Sequence, residues 1–282
     1  MSRITVSKTY KLYIGGKFPR TESGRYYKLK GRSGKLLADV SRGSRKDLRE
    51  AVVAARKALP GWANATAYLR GQILYRVAEM LEGRASQFVD ELVAQGSTSA
   101  AARKEVTAAV DLWVHYAGWS DKFQAVFSSV NPVASPHFNF SRPEETGVVG
   151  AIAPESSGLL GLSSVLAPIM VGGNSAVVLA SRKRPLCAIT LAEVLNSSDV
   201  PGGVVNLLTG FADELLPHMA GHMDVNSILL CSEDAKACKA ARELASENVK
   251  RVVLRDDAPL EEDPYEILAF QEIKTTWHPV GV

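Results

Sequence analysis

At 282 residues, with 46% hydrophobic and 22% charged positions, the chain has ordinary globular composition and enough core for one large domain or two modest ones. A formal net charge of +3 and the lack of a long basic run leave no electrostatic case for a nucleic-acid or membrane partner. Cys187, Cys231 and Cys238 are odd in number and lack CxxC spacing, which argues against a disulfide framework or a zinc site. No apolar run approaches transmembrane length, and MSRITVSKTYK has no apolar signal-peptide core, so a cytoplasmic protein is expected.

In chain order, YKLYIGGKFPRTESGRYYKLK alternates around Gly15-Gly16 and predicts a β-hairpin. Ser44 followed by Asp47 is a capping-box start for a helix with Leu48, Val52, Ala55 and Leu59 on one face, and Pro60-Gly61 is expected to stop it. Leu69, Ile73, Val77 and Leu81 mark a second helix, and Phe88, Leu92 and Val93 a third. A fourth, from about Ala101 to Phe123, has Val106, Val110, Trp113 and Ala117 inside. HFNFSRPEETGVV then predicts a hairpin turning at Arg142-Pro143-Glu144.

From Gly147 the rhythm is regular. Strands are predicted at 147–153, 175–180, 203–209, 227–231 and 250–254, with helices at about 159–172, 186–197, 212–222 and 233–247. The strands are short, β-branched and apolar throughout, as in a parallel sheet covered on both faces. The fold class is therefore α/β, a doubly wound, Rossmann-like parallel sheet behind a helical N-terminal part. RDDAPLEEDPYE predicts a solvated linker, and Phe270, Ile273 and Thr275 suit one last strand, which must pair with something.

Ligands of such a sheet lie beyond the carboxyl ends of its strands, so the candidate loops are 154–158, 180–185, 209–211, 231–234 and 255–258. None contains GxGxxG or a Walker sequence. Cys231 precedes a helix start, where a thiol can be activated, but we read it as a small apolar strand end. Cys187 and Cys238 read as packing. His218 and His222 have the i,i+4 spacing of a zinc helix without the glutamate of the hydrolase motif, so no metal is expected. Arg182-Lys183-Arg184 could catch a phosphate, but reads as a wet surface turn.

Several segments together resemble the aldehyde dehydrogenase superfamily: YKLYIGGKF, SRKDLREAVVAARKALPGWANATAYLRGQILYRVAEMLEGR, EETGVVGAIAP, PGGVVNLLTGFADE, HMDVNSI and EIKTTWHP. The resemblance runs through nearly the whole chain in order. It implies a cofactor-binding-type domain from 1–125 and 146–258, and an oligomerisation element from 126–145 and 266–282. The departures fall on functional positions. Where the family has Pro-Trp-Asn-Phe-Pro, with the Asn amide holding an oxyanion, Pro154-Glu155-Ser156-Ser157-Gly158 stands. Losing one oxyanion donor costs about 2.7–4 kcal/mol of transition-state stabilisation. The Lys and Glu that would grip the adenosine ribose are Ala180 and Lys183. Gly210 remains, and Ser232 is the serine of a Gly-Ser whose glycine is Cys231; the glycine expected early in the next helix is Lys236. Arg255 occupies the place of the general base, unless a slip brings in Asp256, and the glycines after it are missing. Between Ala258 and Phe270, where the family carries its catalytic domain and cysteine, only the acidic segment stands.

The resemblance thus implies no catalytic residues, with degenerate cofactor positions at Pro154, Ala180, Lys183, Gly210 and Ser232 and only weak NAD binding, if any. The nearest likeness is to the non-catalytic second unit of class-16 aldehyde dehydrogenases. The expected role is a pseudoenzyme subunit that pairs with a catalytic aldehyde dehydrogenase, or with itself, through strand 270–277 and hairpin 137–149. The alternatives are the NAD-binding half of a split oxidoreductase and a structural homodimer.

Overall fold

The computed structural model describes residues 8–281; residues 1–7, part of the stretch read above for a signal peptide, and Val282 lie outside the described residues. Ile14 and Lys17 exchange both backbone hydrogen bonds across Gly15-Gly16, whose φ of 60° and 76° suit the predicted tight turn. A Cβ on Gly16 would lie 2.9 Å from the Gly202 Cα, so glycine is required there. The hairpin is shorter than expected, because Tyr13 pairs instead with Leu207. The following YYKLK forms a separate antiparallel pair, β1 (Tyr26–Lys30) with β2 (Leu36–Ser41).

Helix α1 (Arg45–Ala63) begins with the complete Ser44–Asp47 capping box. It runs through Pro60 rather than stopping there. A proline in the last turn removes one amide bond, while buried Trp62 donates its indole N–H to the Met170 carbonyl at 2.9 Å and pins that turn. Three more helices follow: α2 (Ala67–Glu82), α3 (Ala85–Ala94) and α4 (Ser99–Trp119). Leu69 and Val93, expected inside, are exposed; the buried face of α2 is Arg70, Ile73, Leu74, Val77, Ala78 and Leu81. The fourth predicted helix breaks at 120–122 and resumes as α5 (Phe123–Phe127).

The expected turn at Arg142-Pro143-Glu144 does not form. Strand β4 (His137–Glu145) passes straight through it, paired with β3 (Ser129–Asn131) on one edge. The hairpin of this region is thus β3–β4, turning near 132–136, and residues 148–149 of the expected 137–149 hairpin belong to the main sheet. Proline fits within β4 because β3 pairs only with Asn139–Ser141, so at Pro143 the strand has β10 on one side and no ladder partner on the other.

The remaining elements alternate as predicted: β5 (Val148–Ile152), α6 (Leu160–Val171), β6 (Ser175–Leu179), α7 (Leu186–Ser197), β7 (Val205–Leu208), α8 (Ala212–Ala220), β8 (Ser227–Cys231), α9 (Ala235–Ser246) and β9 (Arg251–Arg255). Their order, β7-β6-β5-β8-β9, all parallel, reverses between β5 and β8. Strand parity sorts the core. Val149, Ala151, Ala176, Val178 and Leu229 face α6, α7 and the α2–α4 layer behind them. Val148, Ile152, Val177, Leu179, Ile228 and Leu230 face α1, α8 and α9.

The acidic segment is not a free linker. Leu260 is buried, its amide donates to the Ser164 hydroxyl at 2.9 Å, and Tyr116 donates its hydroxyl to the Asp263 carbonyl at 3.1 Å. It leads through α10 (Tyr265–Leu268) to buried Phe270 and β10 (Gln271–Pro279). β10 pairs antiparallel along all of β4, giving a sheet ordered β10-β4-β3 in which β10 is an edge.

Candidate functional site

The crevice beyond β5 and β6 is built from backbone amides, and each set is met by a carboxylate of the chain itself. Glu105, on α4, accepts at Oε1 from the Ser157 hydroxyl (2.7 Å) and from the amides of Gly158 (3.1 Å), Leu159 (2.9 Å) and Leu160 (3.3 Å). It thereby caps α6, whose own sequence offers no side-chain cap from Leu159. Glu155 folds back over β6, accepting from the Ser181 hydroxyl (2.9 Å), the Arg182 amide (3.0 Å) and the Lys183 amide (3.0 Å). Asp257, after β9, accepts from the amides of Glu155 (2.5 Å) and Ser156 (3.2 Å). At α9, Asp234 accepts from the amides of Lys236 (2.9 Å) and Ala237 (3.4 Å).

The predicted site residues fall around this arrangement. Pro154 is buried under the loop, and a Cβ on Gly161 would lie 3.3 Å from its ring. Ser156 is exposed and engages Asp257 by its amide. Ala180 is buried, and its methyl offers no donor. Lys183 is exposed and uses its backbone amide on Glu155. Gly210, at φ 156°, lets the turn approach Gly43. The Ser232 hydroxyl accepts from the Asp234 amide at 3.1 Å. Arg255, at the expected general-base position, forms a two-point ion pair with Glu266 at 3.0 and 3.1 Å. A guanidinium held this way presents no base. Asp256 is exposed, and its backbone carbonyl accepts from the Ala258 amide.

The thiols match their packing assignment. Burial pushes the Cys231 thiol up to about 12, and burial also raises that of Cys187 well above the ordinary thiol value. Cys238 is half-buried and donates to the Ser232 carbonyl. His218 is exposed at the end of α8, while the His222 ring accepts from the Asp224 amide. Burial, with Lys250 and Arg56 nearby, lowers the His222 pKa against the pull of Asp224. Among the described residues no group of three or more His, Cys, Asp or Glu is placed to hold a metal ion. The Arg182 guanidinium stacks 3.9 Å from the centroid of the Phe211 ring, with Arg42 4.2 Å from the same centroid.

Glu105 and Asp257 escape sequence reasoning for different reasons. Glu105 sits one position from the buried Val106 on α4, and nothing local says that its side chain reaches the next layer. Asp257 lies in a run whose composition matches a solvated connection.

Residues 19–256 match the family described as the aldehyde dehydrogenase family. The mouse cytosolic 10-formyltetrahydrofolate dehydrogenase is 29% identical over 261 residues, covering 90% of this chain and 29% of that protein. The mitochondrial benzaldehyde dehydrogenase of Antirrhinum majus is 31% identical over 254 residues, covering 86% of this chain and 46% of that one. An aldehyde dehydrogenase from Bacillus cereus, solved as an NAD+ complex, superposes with a TM-score of 0.83 at 25% identity over 88% of this chain and 50% of its own. The chain thus spans about half or less of the length of these relatives. No helix among the described residues is long and apolar enough to cross a membrane. With a matching sequence family over most of its length and the same sheet and helices in space, the chain belongs to the aldehyde dehydrogenase family.

Proposed function

We propose that this family member is catalytically silent and serves as an assembly subunit for a catalytic aldehyde dehydrogenase. The observation that carries the reading is the Glu155 carboxylate lying on the Ser181 hydroxyl and the Arg182 and Lys183 amides. A negative charge fills the turn after β6, where the family resemblance places a ribose grip and this chain has Ala180 and Lys183. Arg255, paired with Glu266 at the general-base position, supports the same reading. Assembly would use β10, an edge strand with Ile273 and Trp277 exposed on one face of the sheet, while Phe138 of β4, paired with His278, is exposed on the other. A partner's strand can extend such an edge.

The test is an affinity capture of the tagged chain from its native cells, with bound proteins identified by mass spectrometry. Recovery of a full-length aldehyde dehydrogenase at fixed stoichiometry supports the reading; recovery of the chain alone as a homo-oligomer refutes the partner. In parallel, millimolar NAD should leave the melting temperature unchanged. A rise of several degrees would shift the assignment to a cofactor-binding half-enzyme, since a native-state ligand stabilises by mass action. Ala180→Lys with Lys183→Glu should improve whatever binding remains.

A further inference from the structure

Hydrogen bonds at the two ends of β10 fix which of its backbone groups face the open side. The Thr146 amide donates to the Phe270 carbonyl and the Val280 amide to the Pro136 carbonyl, both in line with the regular β10–β4 register. Inward-bonded residues alternate along an antiparallel pair. The even-numbered residues of β10 therefore bond to β4, and Ile273, Thr275 and Trp277 turn their N–H and C=O outward. This open stretch is closed at both ends. The Gln271 carbonyl is taken by the Arg251 guanidinium, and Pro279 has no N–H. The free groups are thus centred on Thr275.

Edge strands that stay single are commonly guarded by a bulge, a central proline or a free charge. β10 keeps one register along all of β4, and its charged side chains are engaged within the molecule, Lys274 with Glu144 and Glu272 with Arg251. The side chains repeat the symmetry of the backbone. A second β10 laid antiparallel, about a two-fold axis normal to the sheet at Thr275, sets exposed Ile273 opposite exposed Trp277 on each side of the axis. Thr275 meets itself, so the Ser141–Thr275 hydroxyl pair, 2.7 Å apart, continues across the axis as one row. On the other face the Glu272 carboxylate meets the His278 ring, and Lys274 meets Thr276. Moving the axis to Lys274 would oppose two ammonium groups, which disfavours that register.

We infer that β10 pairs antiparallel with β10 of a second copy of this chain, about a two-fold axis at Thr275, and that this self-pairing occupies the edge until a catalytic partner displaces it. Every free N–H and C=O between Gln271 and Pro279 then finds a partner. The inference rests on the reading of β10 as the assembly edge. It adds that the chain is its own competitor for that edge, so assembly with a partner depends on the concentration of both.

The experiment is sedimentation velocity of the purified full chain from about 1 to 200 μM, a range suited to a small interface of modest affinity. The sedimentation coefficient should climb with concentration from the monomer value to the dimer value. Thr275→Pro removes the central outward N–H, where an edge strand tolerates proline, and should stay at the monomer value with a melting temperature within about 3 °C of wild type. Register is read by mild oxidation of cysteine probes in a Cys238→Ser background. Thr275→Cys lies opposite itself and should form a disulfide-linked dimer about 10-fold faster than Thr276→Cys, which faces Lys274 of the other copy. A monomer at every concentration, a dimer that persists in Thr275→Pro, or equal crosslinking at 275 and 276 overturns the inference. If Thr275→Pro does not fold, the crosslinking ratio decides. Cell capture that recovers no aldehyde dehydrogenase would sink the proposed partner and leave the dimer standing, whereas a captured aldehyde dehydrogenase beside a monomeric free chain sinks only the self-pairing.

Discussion

Glu105 gathers four donors onto one oxygen, three of them amides from the start of α6. An alanine there would leave these groups largely buried without partners, at about 1–3 kcal/mol for the first unmet donor alone. Glu105→Ala should therefore lower unfolding stability by about 3 kcal/mol or more, measured as a reduced urea midpoint at unchanged slope. Thiol chemistry tests a second residue-scale claim. With its thiol pushed up to about 12 by burial, Cys231 carries almost no thiolate at pH 8, whereas Cys238 is half-exposed. Brief iodoacetamide treatment of the native protein should add one adduct, on Cys238, in intact-mass and peptide analysis. Early labelling of Cys231 would refute its assignment as a packing residue.

At the scale of elements, β10 is held to β4 by a cluster that responds to pH. The hydrogen bond from Lys274, helped by Arg142, holds the Glu144 carboxyl below the usual range. A depressed carboxylate stabilises the fold fully above its unfolded value of about 4.3, and the contribution is lost as pH falls through the lower folded value. Amides of β10 should thus exchange hydrogen faster at pH 3 than at pH 6 after correction for intrinsic rates, and Glu144→Gln should remove most of that difference. The five parallel strands and their helices were legible in sequence because each apolar run has a single period and a clear stop. Pro60 and Pro143 misled for a common reason. Proline reports the loss of one donor, and both positions lie where tertiary contact or a free ladder position absorbs that loss. Ser44–Asp47 was legible because a cap is local. Glu105 and Asp257 were not, since each acts on a loop far away in sequence.

On the scale of the molecule, one face of the sheet is closed by α1, α8 and α9, and the other by two layers of helices. The β10-β4-β3 sheet joins exposed apolar side chains to an open backbone edge. Replacing Ile273 and Trp277 together by lysine should abolish assembly in sedimentation velocity. The melting temperature of the isolated chain should shift by no more than about 2 °C, because both side chains are exposed. A large drop instead would mean that these residues support the fold rather than a partner. The resemblance to a known family was legible along nearly the whole chain, but what fills its crevice was not, because hydrogen bonds among 105, 155, 181 and 257 join four separated segments.

The knot at the start of β10 bears on how the chain would respond to a protease. The Phe270 carbonyl accepts from the Thr146 amide and the Asn174 side chain, and Gln271 reaches the Gly172 carbonyl. A cut at the exposed Glu261–Glu262 bond would sever the polypeptide upstream of this knot and of the whole β4 ladder. The released piece would stay seated as a non-covalent strand, so the nicked protein would migrate as one species on a native gel and as two once denatured. Continuity of the chain and integrity of the fold are separate properties here, and a preparation judged intact by size exclusion could already be two peptides.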